Sequence, residues 1–352
     1  MAFKIGLLGL GTVGTGTAKI VLDAAGRQPL LNELELYKVG VRRLDKPREV
    51  ELPAACLTTD LNAIVTDPAV DIVVELIGGL EPARSLILTA IQHGKHVVTA
   101  NKAVIARHGD EIFTAATEAG VYVLLEAAVG GGIPVIEPLK QSLCANRIHT
   151  VTGIVNGTTN YILTRMQREG APFADILADA QALGYAEADP TADVDGLDAA
   201  DKITILASLA FGGRIKRDDV YCEGIRQISA AEIAYADQLG FVIKLLAIAK
   251  REPDHSPTDD QLQVRVHPTL LPKAHPLASI NDVYNAILVE GDPVGQVMFF
   301  GPGAGAGPTA SAVMADVLNI AAILTVEQGH DGDRPLDPLL ACSHQHYCTI
   351  TP

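Results

Sequence analysis

The 352-residue sequence is poor in cysteine, and none of its five cysteines stands in a CxxC pair. An odd number without paired spacing argues against a disulfide framework in a chain of this size. Cys56, Cys144 and Cys222 read as buried thiols. The tail differs, because Cys342, His344, His346 and Cys348 share one parity and an extended segment would set four soft zinc ligands on one side. The plainer reading there is a solvated, poorly ordered terminus. Positive charge is also scarce: 27 Lys and Arg stand against 42 Asp and Glu, a formal net charge of -15. Phosphate backbones need clustered cations that displace counterions. No nucleic-acid partner is expected, and any anionic ligand must be held locally. Met1 to Leu8 lacks the basic region, long apolar run and small-residue cleavage site of a secretory signal. No stretch approaches the roughly 18 to 20 apolar residues of a membrane span; the nearest, Phe241 to Ala249, is interrupted by Lys244. These absences point to a cytoplasmic protein without a membrane partner. With 48% hydrophobic residues, the chain suffices for about two domains.

What is present is an alternation of strand and helix signals through the first 130 residues. Candidate strands are Lys4 to Leu8, Leu34 to Val41, Asp71 to Leu76, His96 to Thr99 and Val121 to Glu126, with helices over Glu81 to His93 and Ala103 to Ala119. Gly94 and Gly120 close these helices, since glycine accepts positive φ at little cost. The alternation predicts an α/β fold with an N-terminal doubly wound parallel sheet. After Gly130-Gly131-Gly132-Ile133-Pro134 the pattern changes. Apolar runs Ile148 to Val155, Phe241 to Ala249, Gln261 to Leu270, Val283 to Glu290 and Gln296 to Phe300 sit among helices, which predicts a second α+β domain with a mixed sheet. The helix over Pro308 to Val326, with its Gly-rich approach, returns to the first domain. The expected division is residues 1–132 completed by 303–328, then 133–302, then a tail over 329–352.

Gly9-Leu10-Gly11-Thr12-Val13-Gly14 matches GxGxxG directly after the first strand and before the helical run Thr15 to Leu22. Its first glycine permits the tight turn, the second lets backbone approach a pyrophosphate, and the third lets helix and strand pack closely. Phosphates then meet the N–H groups and partial positive charge of the helix N-terminus. At the head of an alternating unit this is a dinucleotide loop of Rossmann type. The second strand runs out at Val41-Arg42-Arg43, with no acid to bond a ribose 2′-hydroxyl. Two arginines there favour NADP, or tolerance of NAD as well.

Thr99-Ala100-Asn101-Lys102 lies at the C-terminal edge of a parallel strand, where open α/β sheets bind ligands. In the predicted helix Leu197 to Phe211, Asp198 and Lys202 are four apart and share a face. The preceding loop, Gly184-Tyr185-Ala186-Glu187-Ala188-Asp189-Pro190, together with Asp193 and Asp195, adds four carboxylates. Acids around a lysine suit a substrate with an ammonium group. A calcium loop fails on spacing: Thr191 precedes Asp193 by two, and Lys202 stands where a glutamate is needed.

The Gly9 to Gly14 loop, Thr99 to Lys102, Glu126-Ala127-Ala128-Val129-Gly130-Gly131-Gly132-Ile133-Pro134, Gly153 to Tyr161, the Gly184 loop, Asp195 to Lys202 and Gly303 to Val313 occur in the order found in homoserine dehydrogenases. Spread over about residues 3 to 325, the sequence resembles that family. The resemblance implies reversible reduction of L-aspartate 4-semialdehyde to L-homoserine with NADPH or NADH, a step toward threonine, methionine and isoleucine. It implies that Lys202 is the general acid and that Lys102 assists at the reacting centre and contacts cofactor. Glu187 and Asp198, with Tyr185, Gly184 and Thr158, would bind substrate. Gly9, Gly11, Thr12, Val13, Gly14, Arg42, Arg43 and Gly307 would bind cofactor. Glu126, Val129, Gly131 and Ile133 would bind a sodium ion, mostly through backbone carbonyls. A homodimer or homotetramer, assembled through the second domain, and the absence of a C-terminal regulatory domain are further expectations. A sugar, the substrate of oxidoreductases of similar design, offers no ammonium group to balance the acids, an acylating dehydrogenase needs a cysteine beside a base, and a non-catalytic sensor has no use for both lysines.

Overall fold

The computed structural model describes residues 2–252 and 261–328. The cysteines and histidines of the tail, and the proposed tail itself, lie outside the described residues.

The first half is built on six parallel strands: β1 (Phe3–Leu8), β2 (Leu34–Gly40), β3 (Leu57–Thr58), β4 (Ile72–Glu75), β5 (His96–Thr99) and β6 (Val123–Leu124), in spatial order β3-β2-β1-β4-β5-β6. Strands buried on both faces must be apolar throughout, and β1 and β4 are. Ile5, Leu7, Ile72, Val74 and Val98 point to one face; Leu8, Val73 and Val97 point to the other. The first face is covered by α1 (Thr12–Leu22) and by the last described helix, which runs Ala306–Gln328. The second is covered by α2 (Asn62–Val65), α3 (Ala83–Gln92) and α4 (Lys102–Ala119). Gly120, at φ +65°, ends α4 as predicted.

The second half carries β7 (Arg147–Ile154), α5 (Gly157–Glu169), α6 (Phe173–Ala182), α7 (Thr191–Val194), α8 (Leu197–Phe211), β8 (Tyr221–Cys222), α9 (Ala230–Gln238), β9 (Phe241–Arg251), β10 (Leu262–Pro272), β11 (Tyr284–Asp292) and β12 (Gly295–Pro302), after which the chain enters α10 (Ala306–Gln328). Its strands form a sheet in the order β12-β11-β7-β9-β10-β8, antiparallel except where β8 joins β10. The mixed sheet is therefore as expected. Lys244, the residue that breaks the apolar run of β9, is fully buried. It donates to Asn160 Oδ1 at 3.0 Å, Asn281 Oδ1 at 3.1 Å and the Ile280 carbonyl, and burial pushes its pKa down to about 8.

Several expectations need correction. The helix after the glycine loop begins at Thr12 rather than Thr15, so three of the motif's residues already belong to it. The last strand of the parallel sheet is two residues long, because Leu125 leaves the extended region and Glu126–Ala128 form a 3-10 turn. The thiols are not buried. Cys144 is exposed in a turn before β7, and Cys56, just before the short strand β3, and Cys222, at the end of the short strand β8, are partly exposed. One helical stretch, Ala306–Val326, is also long and apolar enough by length and composition to cross a membrane, although no run of the sequence was judged so. Its Val313, Val317 and Ile320 are fully buried in the core against the first sheet, the packing of a core helix.

Candidate active site

The glycine loop is shaped by what its backbone must pass. Gly9 has φ +102°, a conformation costly for any residue with a Cβ, and its N–H donates to Gly40 O at 3.0 Å. A Cβ on Gly14 would stand 2.0 Å from the Gly9 carbonyl oxygen, so helix and strand approach to a distance that excludes every other residue. Gly11 is exposed and faces open space. The first turn of α1 holds no acidic residue and no side-chain cap, which leaves the N–H groups of Thr12, Val13 and Gly14 free of intrahelical partners. Such an end attracts an anion. Gly307 opens α10 beside it: the Ala306 carbonyl lies so close to Gly16 that a Cβ there would meet it at 2.5 Å. Arg42 and Arg43 follow β2 and are exposed. Arg43 donates from Nε and Nη2 to Asp45 at 3.1 and 2.7 Å.

The lysines are brought together as predicted. Thr99, at the end of β5, donates to the buried Glu75 Oε2 at 2.6 Å and accepts from Asn101 N at 3.0 Å. Asn101 then caps α4 by accepting from Val104 N and holds the next loop by donating to Gly79 O at 2.7 Å. Lys102 is thus delivered from the sheet edge as the first residue of α4. Its Nζ lies 2.9 Å from Asp198 Oδ1, and Lys202 Nζ lies 2.7 Å from Asp198 Oδ2. Lys202 donates also to Val155 O at 2.6 Å. Asp198 and Lys202 are buried on α8, whereas the Lys102 side chain is 38% exposed.

Two further groups belong to this cluster and were not singled out from the sequence. Asn156 caps α5 through Oδ1 and directs Nδ2 to both Asp198 Oδ2 at 2.9 Å and Asp193 Oδ1 at 2.7 Å. The signal was its place before Gly157-Thr158-Thr159, a helix-capping position. Asp193 was only one acid among several. Of the four loop carboxylates it is the one that reaches the lysines' neighbourhood: Asp195 pairs with Arg226, Asp189 accepts from Thr191 N, and Glu187 is exposed. Thr158, Gly184 and Tyr185 do come together. Thr158 Oγ1 donates to Tyr185 O at 2.7 Å, and the Tyr185 ring meets Tyr161 edge-on at 5.0 Å. The Glu187 backbone joins this loop by accepting from Gln181 Nε2 at 3.0 Å.

Burial lowers the Lys202 pKa, Asp198 opposes that change and the Lys102 charge adds to it, leaving a net shift downward. Asp198 raises Lys102, more than offsetting its burial. Burial alone would push the Asp198 carboxyl up, but the two lysines and Asn156 hold it below the usual carboxylate range. Asp193 is raised by burial. Two ammonium groups on one carboxylate, one with its pKa pulled toward neutrality, form an acid–base pair ready for proton transfer.

Glu126, Val129, Gly131 and Ile133 lie in the loop between the two halves. The Glu126 carboxylate accepts from Val135 N, Ile136 N and Glu137 N at 2.6, 2.8 and 2.8 Å, so its side chain is spent on the following helical segment. The carbonyls of Val129, Gly131 and Ile133 accept no hydrogen bond among the described residues. Nearby, the fully buried Asn285, which abuts Gly303, leaves both Oδ1 and Nδ2 without partners. The described residues hold no cluster of three or more His, Cys, Asp or Glu. A hard cation held by carbonyl oxygens fits this donor set.

A parallel sheet with a glycine loop ahead of its first helix, joined to a buried and a half-exposed lysine on one carboxylate, defines a nicotinamide-dependent oxidoreductase. Residues 9–126 match the NAD-binding domain of homoserine dehydrogenase, and residues 134–318 match the homoserine dehydrogenase family itself. The chain belongs to that family. It is 68% identical over 352 residues to a homoserine dehydrogenase of Synechocystis sp., covering all of this chain and 80% of that protein. The crystal structure of a homoserine dehydrogenase from Thiobacillus denitrificans superposes with a TM-score of 0.87 at 47% identity, over 94% of this chain and 76% of that one. A hyperthermophilic archaeal homoserine dehydrogenase in complex with NADPH superposes with a TM-score of 0.76 at 27% identity, over 91% and 98%.

Proposed function

We propose that the chain catalyses the reversible reduction of L-aspartate 4-semialdehyde to L-homoserine, the branch toward threonine, methionine and isoleucine, with Lys202 as general acid. The single observation that carries this reading is the Asp198 carboxylate gripped by Lys102 and Lys202 at the edge of the parallel sheet. When bound, the dinucleotide supplies the hydride. As the aldehyde carbon is reduced, negative charge grows on its oxygen. The Lys202 ammonium stabilises that charge and donates its proton, and the alcohol leaves Lys202 neutral. Lys102 adds positive charge and favours release of the proton. Asp198 fixes both amines and, with Glu187, receives the polar end of the substrate, Glu187 through the ammonium group. Tyr185, Gly184 and Thr158 shape that end of the pocket.

Gly9, Gly11, Thr12, Val13, Gly14 and Gly307, with Lys102, would hold the dinucleotide. Arg42 and Arg43 favour NADP and leave NAD possible, Arg43 by exchanging Asp45 for a 2′-phosphate. The carbonyls of Glu126, Val129, Gly131 and Ile133 would hold a monovalent cation, sodium by its preference for hard oxygen. With residues 1–132 and 303–328 as one domain and residues 133–302 as the other, the chemistry would lie between the two, and a homodimer or homotetramer is the proposed assembly. The test is reduced-nicotinamide absorbance with L-homoserine and NADP or NAD at alkaline pH. No signal with either dinucleotide overturns the substrate assignment.

A further inference from the structure

Helix α8 presents two carboxylates one turn apart toward α4. Asp198 takes Lys102, and Asp201 takes Arg107, five residues further along α4: Arg107 Nη1 donates to Asp201 Oδ2 at 3.0 Å. The other oxygen of Asp201 accepts from Arg217 Nε at 2.8 Å, from the turn that follows α8. The Asp201 side chain is 8% exposed, Arg217 10% and Arg107 35%. Arg107 is steadied on its own helix by a second hydrogen bond, to Ala103 O at 3.2 Å. Asp201 precedes Lys202 in the chain, yet its carboxylate is engaged with the two guanidiniums rather than with either lysine.

These two contacts form a ladder between α4, which covers the parallel sheet, and α8, which packs on the mixed one. The first rung is made of reacting groups. Lys202 is engaged with Val155 O and Asp198, which leaves its third N–H for a substrate oxygen, and its charge is lost and regained in each turnover as that proton moves. The second rung holds no group that must change. It is also a demanding contact: the buried Asp201 carboxylate engages a guanidinium with each oxygen, and removing the acid leaves Arg217, itself nearly buried, without that ionic partner. We infer that Asp201 is a positioning residue which, through Arg107 and Arg217, keeps α4 registered on α8 so that Lys102 and Lys202 reach one substrate oxygen while the charge on the first rung changes. A misplacement of about 1 Å at a reacting centre costs up to about a hundredfold in rate, so a register contact outside the chemistry acts on it directly. This inference rests on the roles given above to the two lysines.

The experiment compares Arg107→Gln, Arg107→Lys, Asp201→Asn and Lys202→Ala in homoserine oxidation with saturating dinucleotide. Arg107→Gln is expected to lower kcat about tenfold and to raise the KM for homoserine, with an unchanged dinucleotide Kd. Arg107→Lys recovers most of both. Arg107→Gln combined with Asp201→Asn is no worse than Asp201→Asn alone, because the two remove one interaction. Wild-type kcat and KM in Arg107→Gln overturn the inference whatever happens to Tm, and so does a dinucleotide Kd that worsens in step with KM. Should Asp201→Asn fail to fold, the half-exposed Arg107 variants decide alone. Near-normal turnover in Lys202→Ala overturns instead the roles assigned to the lysines.

Discussion

The glycine loop after β1 and the charged cluster at the head of α8 are made of opposite materials. The loop has no charge of its own: it works by missing side chains, with backbone N–H groups left open at the start of α1 and a Gly14 so tightly packed that a methyl group does not fit. All its parts lie within six consecutive residues. Apart from the Val155 carbonyl, the cluster is built from side chains, several of them buried ions, and is gathered from the start of α4, the end of β7, the cap of α5 and the face of α8. A binding site for phosphate can be written locally because backbone amides are available wherever a helix begins. A proton-transfer site needs charges held out of water, and each such charge needs partners from elsewhere to remain ionised.

The sharpest way to break this contrast is Lys202→Ala. If chemistry belongs to the cluster and binding to the loop, kcat falls by about a hundredfold or more while dinucleotide Kd, read by NADPH fluorescence, stays where it was. The converse change is Gly14→Ala. Its Cβ meets the Gly9 carbonyl rather than a movable side chain, so about 1–3 kcal/mol of stability is lost and dinucleotide affinity drops, with turnover at saturating cofactor far less affected. Titration against denaturant and against NADPH measures the two parts. A normal Kd in this variant would detach the loop from the cofactor.

A smaller effect sharpens the electrostatics. Lys202 is held below the ordinary lysine value of 10.5, chiefly by burial and further by Lys102. Oxidation of homoserine needs neutral Lys202 as base, so its kcat/KM rises with pH up to that depressed value, whereas aldehyde reduction, which needs the ammonium, falls over the same range. Lys102→Ala removes a cation and frees Asp198, both of which raise the Lys202 pKa, so the rise in oxidation moves to higher pH. A midpoint displaced to lower pH would contradict the pairing. Least of all, Arg42→Ala and Arg43→Ala are expected to leave stability within about 0.5 kcal/mol and to shift the ratio of NADP to NAD activity by about tenfold or less. An unchanged ratio in both would make them plain surface arginines.

The same contrast explains what was legible in the sequence. The alternation of β1, β2, β4, β5 and β6 with helices, the closing glycines and the glycine loop follow from local periodicity and from φ values that only glycine adopts cheaply, and they match the fold closely, although the short β3 gave no such signal. Lys102 and Lys202 could be named because each sits at a recognisable place, the end of a parallel strand and one face of an amphipathic helix. The partners were beyond local reading. Asp201 meets Arg107 across 94 residues, and nothing near either predicts the other. The acidic loop misled for the same reason: spacing showed four carboxylates but not that Asp195 turns to Arg226 and Asp189 to Thr191, contacts decided by the path of the backbone between α6 and α8. The cysteines were misjudged because average burial of the residue type says little about turns such as the one that carries Cys144.

The return of α10 to the first sheet has a bearing on biosynthesis. Ile5, Leu7, Ile72, Val74 and Val98 share one core with Val313, Val317 and Ile320, so a nascent chain leaving the ribosome carries that oily surface only half sheltered until the whole of the second sheet has been translated. The nucleotide-binding half is begun before the second sheet and sealed after it, and a transcript cut before the codon for Ala306 yields a polypeptide with a permanently bare flank, a natural client for chaperones and proteases.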